Sequence, residues 1–177
     1  LLHRLLKTPA PKKGVPRAMI LVPARELAMQ VAEAIHKYAK KTTLTVVPLY
    51  GGAPMDQQIR ALRRGVDIVV GTPGRLGDLL DRGVLVLNEI KTVVLDEADE
   101  MLNMGFKDDI EFILKNTPNR QSTWLFSATM PAEIRQVSKR YMDKPFEITI
   151  GKANSGSANI DHHYYATQHH NRYEVLK

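Results

Sequence analysis

Residues 91–99 read Lys-Thr-Val-Val-Leu-Asp-Glu-Ala-Asp, a strand running straight into acid. Thr92, Val93, Val94 and Leu95 are apolar or β-branched without polar alternation, the signature of a strand buried on both faces of a parallel sheet. Acidic residues follow at its carboxyl end, where open α/β sheets keep their chemistry. A carboxylate placed there can hold a magnesium ion through water, and a second beside it can orient or deprotonate an attacking water. Asp96 suits the first role and Glu97 the second. The plainer reading is that Asp96 and Asp99 cap a helix beginning near Ala98. The stretch alone leaves both readings open.

Upstream, strand and helix alternate. Ala18-Met-Ile-Leu-Val-Pro23 reads as a buried strand, followed by a helix from about Arg25 to Lys40 with Leu27, Val31, Ala34, Ile35 and Tyr38 toward the sheet. Leu44 to Tyr50 is the next strand, closed by Gly51-Gly52. Pro54 suits a helix start, and that helix runs through Ile59 and Leu62 toward Gly65. Asp67 to Val70 gives a third strand, and Thr72-Pro-Gly-Arg75 leads into a helix through Leu76, Leu79 and Leu80. Leu1, Leu2, Leu5 and Leu6 have helical spacing, and the proline-rich Thr8 to Pro16 reads as a surface loop.

Downstream, helices are expected from Asp99 to about Asn116, broken near Gly105, with Phe106, Ile110, Ile113 and Leu114 inward. Ser122-Thr-Trp-Leu-Phe126 is a strand with Trp124 in the core, ending at Ser127-Ala-Thr129. A helix over Pro131 to Tyr141 and a short strand over Phe146 to Ile150 follow. The repetition predicts an α/β fold, a parallel sheet with helices on both faces. Gly151 to Asn159 lacks core-forming residues. We therefore expect a domain over 1–150, a linker over 151–160, and the start of a second unit over 161–177. The first residue is leucine and the last lies inside an expected helix, so the domain reads as truncated on its amino-terminal side, with an unpaired sheet edge prone to aggregation.

The 177 residues are 44% hydrophobic and 25% charged, enough for one cored domain. A formal net charge of +6 suits a polyanionic partner without requiring one. No cysteine occurs, which excludes disulfides and thiolate metal sites and suits a reducing compartment such as the cytoplasm. No apolar run approaches a membrane span. His162-His163 and His169-His170 are expected to pack or face solvent rather than bind metal, since adjacent histidines on a strand point apart. Lys12-Lys13 and Arg63-Arg64 read as solvated faces that add diffuse attraction to a polyanion.

Pro23-Ala-Arg-Glu-Leu-Ala28, Gly51-Gly52, Thr72-Pro-Gly-Arg75, Asp96-Glu-Ala-Asp99 and Ser127-Ala-Thr129 occur in one order at expected strand ends. Together they resemble the first RecA-like domain of a DEAD-box ATP-dependent RNA helicase. The resemblance implies ATP and Mg2+ as cofactors, with Asp96 holding water-linked magnesium and Glu97 positioning the hydrolytic water. It implies that Asp99 bonds Ser127 and Thr129, coupling nucleotide state to RNA. It also implies RNA contacts at Pro23, Arg25, Gly51, Gly52, Thr72, Gly74 and Arg75, made to the backbone and therefore independent of base sequence. The plainer alternatives are helix caps at Ser127 and Thr129, turns at the glycines and helix-covering stems at the arginines. Arg25 also has the option of an internal ion pair.

The sequence departs from that family in three respects. Ala24 stands where the family usually has threonine. No Gly-x-x-x-x-Gly-Lys-Ser/Thr phosphate cradle occurs, and neither the adenine-recognition segment nor the second-domain arginines are found. The expectation is therefore a monomeric part of an RNA helicase that does not hydrolyse ATP alone. A non-enzymatic RNA-binding or scaffold module and a DNA-directed helicase are the alternatives.

Overall fold

A run of β-branched residues without polar alternation needs an apolar layer on each side. The computed structural model, which describes residues 1–8, 14–150, 163, 166–167 and 173, supplies both layers. The chain forms α1 (Leu2–Lys7), β1 (Ala18–Leu21), α2 (Arg25–Ala39), β2 (Val46–Leu49), α3 (Met55–Arg63), β3 (Ile68–Gly71) and α4 (Pro73–Asp81). It continues with β4 (Thr92–Leu95), α5 (Ala98–Asn103), α6 (Lys107–Lys115), β5 (Ser122–Leu125) and α7 (Ala132–Tyr141). The strands make one sheet in the order β2-β3-β1-β4-β5, with every neighbouring pair parallel. Leu21 lies opposite both Gly71 and Leu95, so the carboxyl ends align and the loops that leave them form one row.

Side-chain alternation along each strand builds two separate cores. Met19, Leu21, Val69, Val93 and Leu95 face one side, with Leu76 and Leu79 of α4, Met101 of α5, Ile110, Ile113 and Leu114 of α6, and Ile134 and Val137 of α7. Ala18, Ile20, Ile68, Val70 and Val94 face the other, with Leu5 of α1 and Ala28, Ala32 and Ile35 of α2. Helices thus cover both faces, as the alternation of elements predicts.

Three local expectations are corrected. In α2 the buried row is Ala28, Ala32, Ile35 and Ala39. Leu27, Val31 and Ala34 stand at the margin, and Tyr38 is 80% exposed. The three alanines let the helix approach the sheet more closely than a tyrosine would. The strand expected over Phe146 to Ile150 does not form; the segment is irregular and Phe146, Ile148 and Ile150 are exposed. Its β-branched composition has no pairing partner among the described residues, and strand preference depends on such a partner. Trp124 is half-buried rather than core, because β5 is a sheet edge, and the Arg4 guanidinium lies 5.7 Å from its ring centroid.

The chain divides into two compact units, Leu1–Phe146 and Glu147–Lys177. The expected linker, Lys12, Lys13, His162, His169, His170 and most of the expected second-unit start lie outside the described residues; His163 is exposed. No helix among the described residues is long and apolar enough to cross a membrane.

Candidate functional site

The buried strand β4 fixes where the acid emerges. The Asp96 amide still donates to the Leu21 carbonyl at 3.0 Å, so Asp96 is the last residue in register with β1. Glu97 then turns sharply, with φ 51° and ψ 49°, and its amide donates to Asp96 Oδ1 at 3.1 Å. A left-handed conformation costs a residue with a side chain about 1–2 kcal/mol, so neighbouring contacts must hold it. Phe126 does so with its backbone: its amide donates to the Leu95 carbonyl at 2.8 Å, and its carbonyl accepts from the Ala98 amide at 3.0 Å. The turn between β4 and α5 is thereby tied to the end of β5. Asp96 is half-buried and Glu97 exposed.

Beside this turn opens a cleft of about 490 Å³ lined by Asp96, Glu97, Asp99, Glu100, Phe126, Ser127 and Ala128. Asp99, one helical turn on, reaches across it. Its Oδ2 accepts from the Thr129 amide at 2.9 Å and the Thr129 hydroxyl at 2.8 Å. The Ser127 hydroxyl donates to the Thr129 carbonyl at 2.6 Å. Of the two hydroxyls expected on Asp99, that of Thr129 donates to it, while that of Ser127 braces the turn that presents Thr129 and lies close enough to favour the Asp99 charge. Partial burial pushes the Asp99 carboxyl up, but the Thr129 and Ser127 hydroxyls and the Thr129 amide outweigh it and bring it below its ordinary value.

The candidate RNA-facing residues gather at the ends of β1, β2 and β3. Arg75 donates from both terminal nitrogens to the Ala53 carbonyl, each at 3.3 Å, tying the start of α4 to the loop after β2. That loop turns at Gly52, with φ +79°, where a Cβ would meet Arg25 Nη1 at 3.9 Å. Gly51, Gly52 and Gly74 are exposed, Thr72 and Arg75 half-buried, and Pro23 buried. Thr72 precedes Pro73, which is the first residue of α4 and is suited to a helix start. Arg25 and Glu26 form an exposed ion pair through Nε and Oε1. The hydrogen bond and charge of Glu26 raise the Arg25 pKa, and Arg25 lowers that of Glu26. Arg25 therefore has an internal partner, the option left open from sequence. Ala24 caps α2 with no side-chain bond, leaving the first turn of α2 without a hydroxyl cap.

Sequence reasoning missed four contributors. Gln58 is 7% exposed; its Oε1 accepts from the Tyr50 amide at 3.2 Å and its Nε2 donates to the Tyr50 carbonyl at 3.0 Å, setting the turn before Gly51. The only signal was a polar residue among Met55, Ile59 and Leu62 on α3. Phe126 and Glu100 line the cleft, marked in sequence only by adjacency to the acidic and Ser-Ala-Thr motifs. Gly71 carried no signal beyond its strand-end position.

Among the described residues no three His, Cys, Asp or Glu side chains come together as a direct metal cage. A lone strand-end carboxylate still fits magnesium, which dehydrates reluctantly and is commonly held through its own waters. Asp96, with one oxygen taken by the Glu97 amide, retains the other for that purpose.

Comparison with known proteins follows this geometry. The family model for the DEAD/DEAH box helicase matches residues 1–137. The chain is 45% identical over 160 residues to the DEAD-box ATP-dependent RNA helicase CshA of Bacillus subtilis, covering 90% of the chain and 32% of that protein. It is 51% identical over 151 residues to the ATP-dependent RNA helicase DeaD of Mycobacterium tuberculosis, covering 85% of the chain and 27% of that protein. The crystal structure of a DEAD box protein from Methanococcus jannaschii superposes with a TM-score of 0.73 at 43% identity, covering 92% of the chain and 43% of that structure. The chain spans about a third of the length of the curated relatives it matches, 32% and 27% for the two named. Five parallel strands between two helical layers, with an acidic cleft and a row of basic and glycine-bearing loops at their carboxyl ends, are RecA-like, and the chain belongs to the DEAD/DEAH box helicase family.

Proposed function

We propose that the chain serves as the part of an ATP-dependent RNA helicase that grips RNA backbone on one set of strand ends and positions hydrolytic water on the neighbouring set. The observation that carries this reading is the bonding of Asp99 to the Thr129 turn, which joins the end of β5 to the acidic helix start. ATP with Mg2+ would supply the phosphoryl group and the charge that polarises it. Asp96 would hold the ion's hydration shell, and Glu97, exposed on its strained turn, would orient or deprotonate the water. Arg25, Gly51, Gly52, Thr72, Gly74 and Arg75 face RNA, with exposed glycines permitting close backbone approach and the arginines adding charge, while Pro23, expected among them, is buried and shapes the loop behind Arg25. Because no Gly-x-x-x-x-Gly-Lys-Ser/Thr cradle occurs in the 177 residues, they alone do not turn over ATP. The same reading has it act as a monomer in the cytoplasm, in a protein with a linker near 151–160 and a second unit beyond.

A module that binds RNA without nucleotide is the second reading. It is favoured by loops that Gln58 and Arg75 pin through their own contacts, independent of the acidic cleft. Binding of fluorescent single-stranded RNAs of unrelated sequence tests the RNA assignment. Equal affinities are expected, with a several-fold loss on Arg75→Ala; no loss, or tighter binding of matched DNA, sinks it. ATP turnover at the rate of a complete helicase by these residues alone would overturn the hydrolysis statement. RNA affinity unchanged by ATP or by Asp96→Ala and Glu97→Ala would favour the nucleotide-free module.

A further inference from the structure

The amino ends of the strands form a second charged surface, at the far end of the sheet from the site described. α2 and α3 both run back to it and finish in basic residues. Lys40 and Lys41 lie just past α2, Arg60 and Arg63 in the last turn of α3, and Arg64 after it. Cations at helix carboxyl termini are ordinary, since the helix dipole is negative there. A group of five at one corner goes beyond that. Lys37 pairs with Glu33, Arg82 with Asp78, and Arg140 with Glu111, while other exposed cations of the unit stand without an ion pair among the described residues. These five are exposed, and none of them makes an ion pair among the described residues. Asp67, the acid that enters β3 beside them, is occupied: its Oδ1 accepts from Arg17 at 2.9 Å, and its Oδ2 accepts from the Thr45 amide and hydroxyl at 3.0 and 3.1 Å.

Strand pairing brings the two basic segments to one corner. Val46 lies opposite Ile68, so the approaches to β2 and β3 start side by side, and the Thr45 carbonyl accepts from the Asp67 and Ile68 amides at 3.1 and 3.0 Å. α2 covers one face of the sheet and α3 the other, so the cations flank the corner on both sides. Tyr38, in the last turn of α2 and two residues before Lys40, is 80% exposed. An aromatic ring among unpaired cations suits a single strand of nucleic acid, whose phosphates take the charges and whose bases stack on the ring.

We propose that this corner is a second, sequence-independent contact for single-stranded nucleic acid, with phosphates on Lys40, Lys41, Arg60, Arg63 and Arg64 and a base on Tyr38. It is independent of the reading of the carboxyl-end loops. The test measures binding of fluorescent oligouridine RNA to the intact protein against salt, comparing wild type with K40Q/K41Q/R63Q/R64Q and with a control of equal charge loss, K107Q/R135Q/K139Q/K144Q. Four lost phosphate contacts flatten the slope of log affinity against log salt by about 3, and Tyr38→Ala weakens binding about tenfold. The paired variants K40Q/K41Q and R63Q/R64Q should each give about half the slope change. An unchanged slope, or an equal fall in the control, overturns the proposal. Displacement of the RNA by polyglutamate at equal charge, with no effect of Tyr38→Ala, overturns the nucleic-acid assignment. Arg75→Ala in the same assay reports the carboxyl-end loops separately, so either surface can fail while the other stands.

Discussion

Thr129 gives Asp99 two hydrogens, one from its amide and one from its hydroxyl, and only the second belongs to the side chain. Thr129→Val keeps the shape and removes the hydroxyl. The Asp99 carboxyl should then titrate closer to its ordinary 3.8, read by carboxylate NMR, because a donor that favours the charged form is gone. The sign for stability follows. A carboxyl whose folded pKa is depressed contributes stability that is complete above its unfolded value and is lost as pH falls through the folded one. The variant should therefore unfold at lower urea than wild type at pH 7, with the gap shrinking below pH 3.8. A gap that persists undiminished in strong acid would assign the hydroxyl to packing instead. At this scale the positions of Asp96, Glu97, Asp99 and Thr129 just beyond the ends of β4 and β5 were legible because unlike residue types met there. The left-handed backbone of Glu97 was not, since it is held by Phe126, far away in sequence.

β3 has to end in glycine for reasons that lie in its neighbours. A Cβ on Gly71 would meet the Leu49 carbonyl at 2.6 Å and Leu76 Cγ at 2.9 Å. Backbone is on one side and a fully buried core side chain on the other, so neither can give cheaply. Gly71→Ala should cost about 1–3 kcal/mol, the usual penalty for overpacking. A lower urea midpoint with unchanged denaturant slope is expected; an unchanged midpoint would show that the strand shifts freely. The same substitution should disturb the Thr72 amide, which donates to Leu49 at 3.0 Å, and with it the start of α4. Element types were readable from hydrophobic period, yet ends were not. β2 runs only over Val46–Leu49, shorter than its apolar stretch, and Phe146 to Ile150 has strand composition without a strand. Pairing, which decides both, is a property of two segments rather than one.

Arg17 ties distant parts of the unit together beneath the sheet. It is 5% exposed, pairs with Asp67 at 2.9 Å, and donates through Nη1 to the Leu5 and Thr8 carbonyls at 3.1 and 2.8 Å, so α1, β1 and the entry to β3 share one side chain. Removing one partner of a buried pair strands the other. Arg17→Leu should therefore cost about 3 kcal/mol, the lower end of that range because Asp67 keeps its Thr45 donors. Hydrogen exchange should show α1 amides losing protection first; protection kept in α1 would mean that Leu5 alone docks the helix. By itself the sequence determined the alternation of elements, the parallel sheet covered on both faces and the strand-end position of the acidic and glycine-bearing motifs, because hydrophobic period and turn chemistry are local. Tertiary structure alone decided strand order, the α2 row that is buried, the pinning of Tyr50 by Gln58, the burial of Arg17 and the gathering of unpaired cations at one corner. Each of these depends on which distant segments pack together, and packing free energy is shared between them rather than written in either.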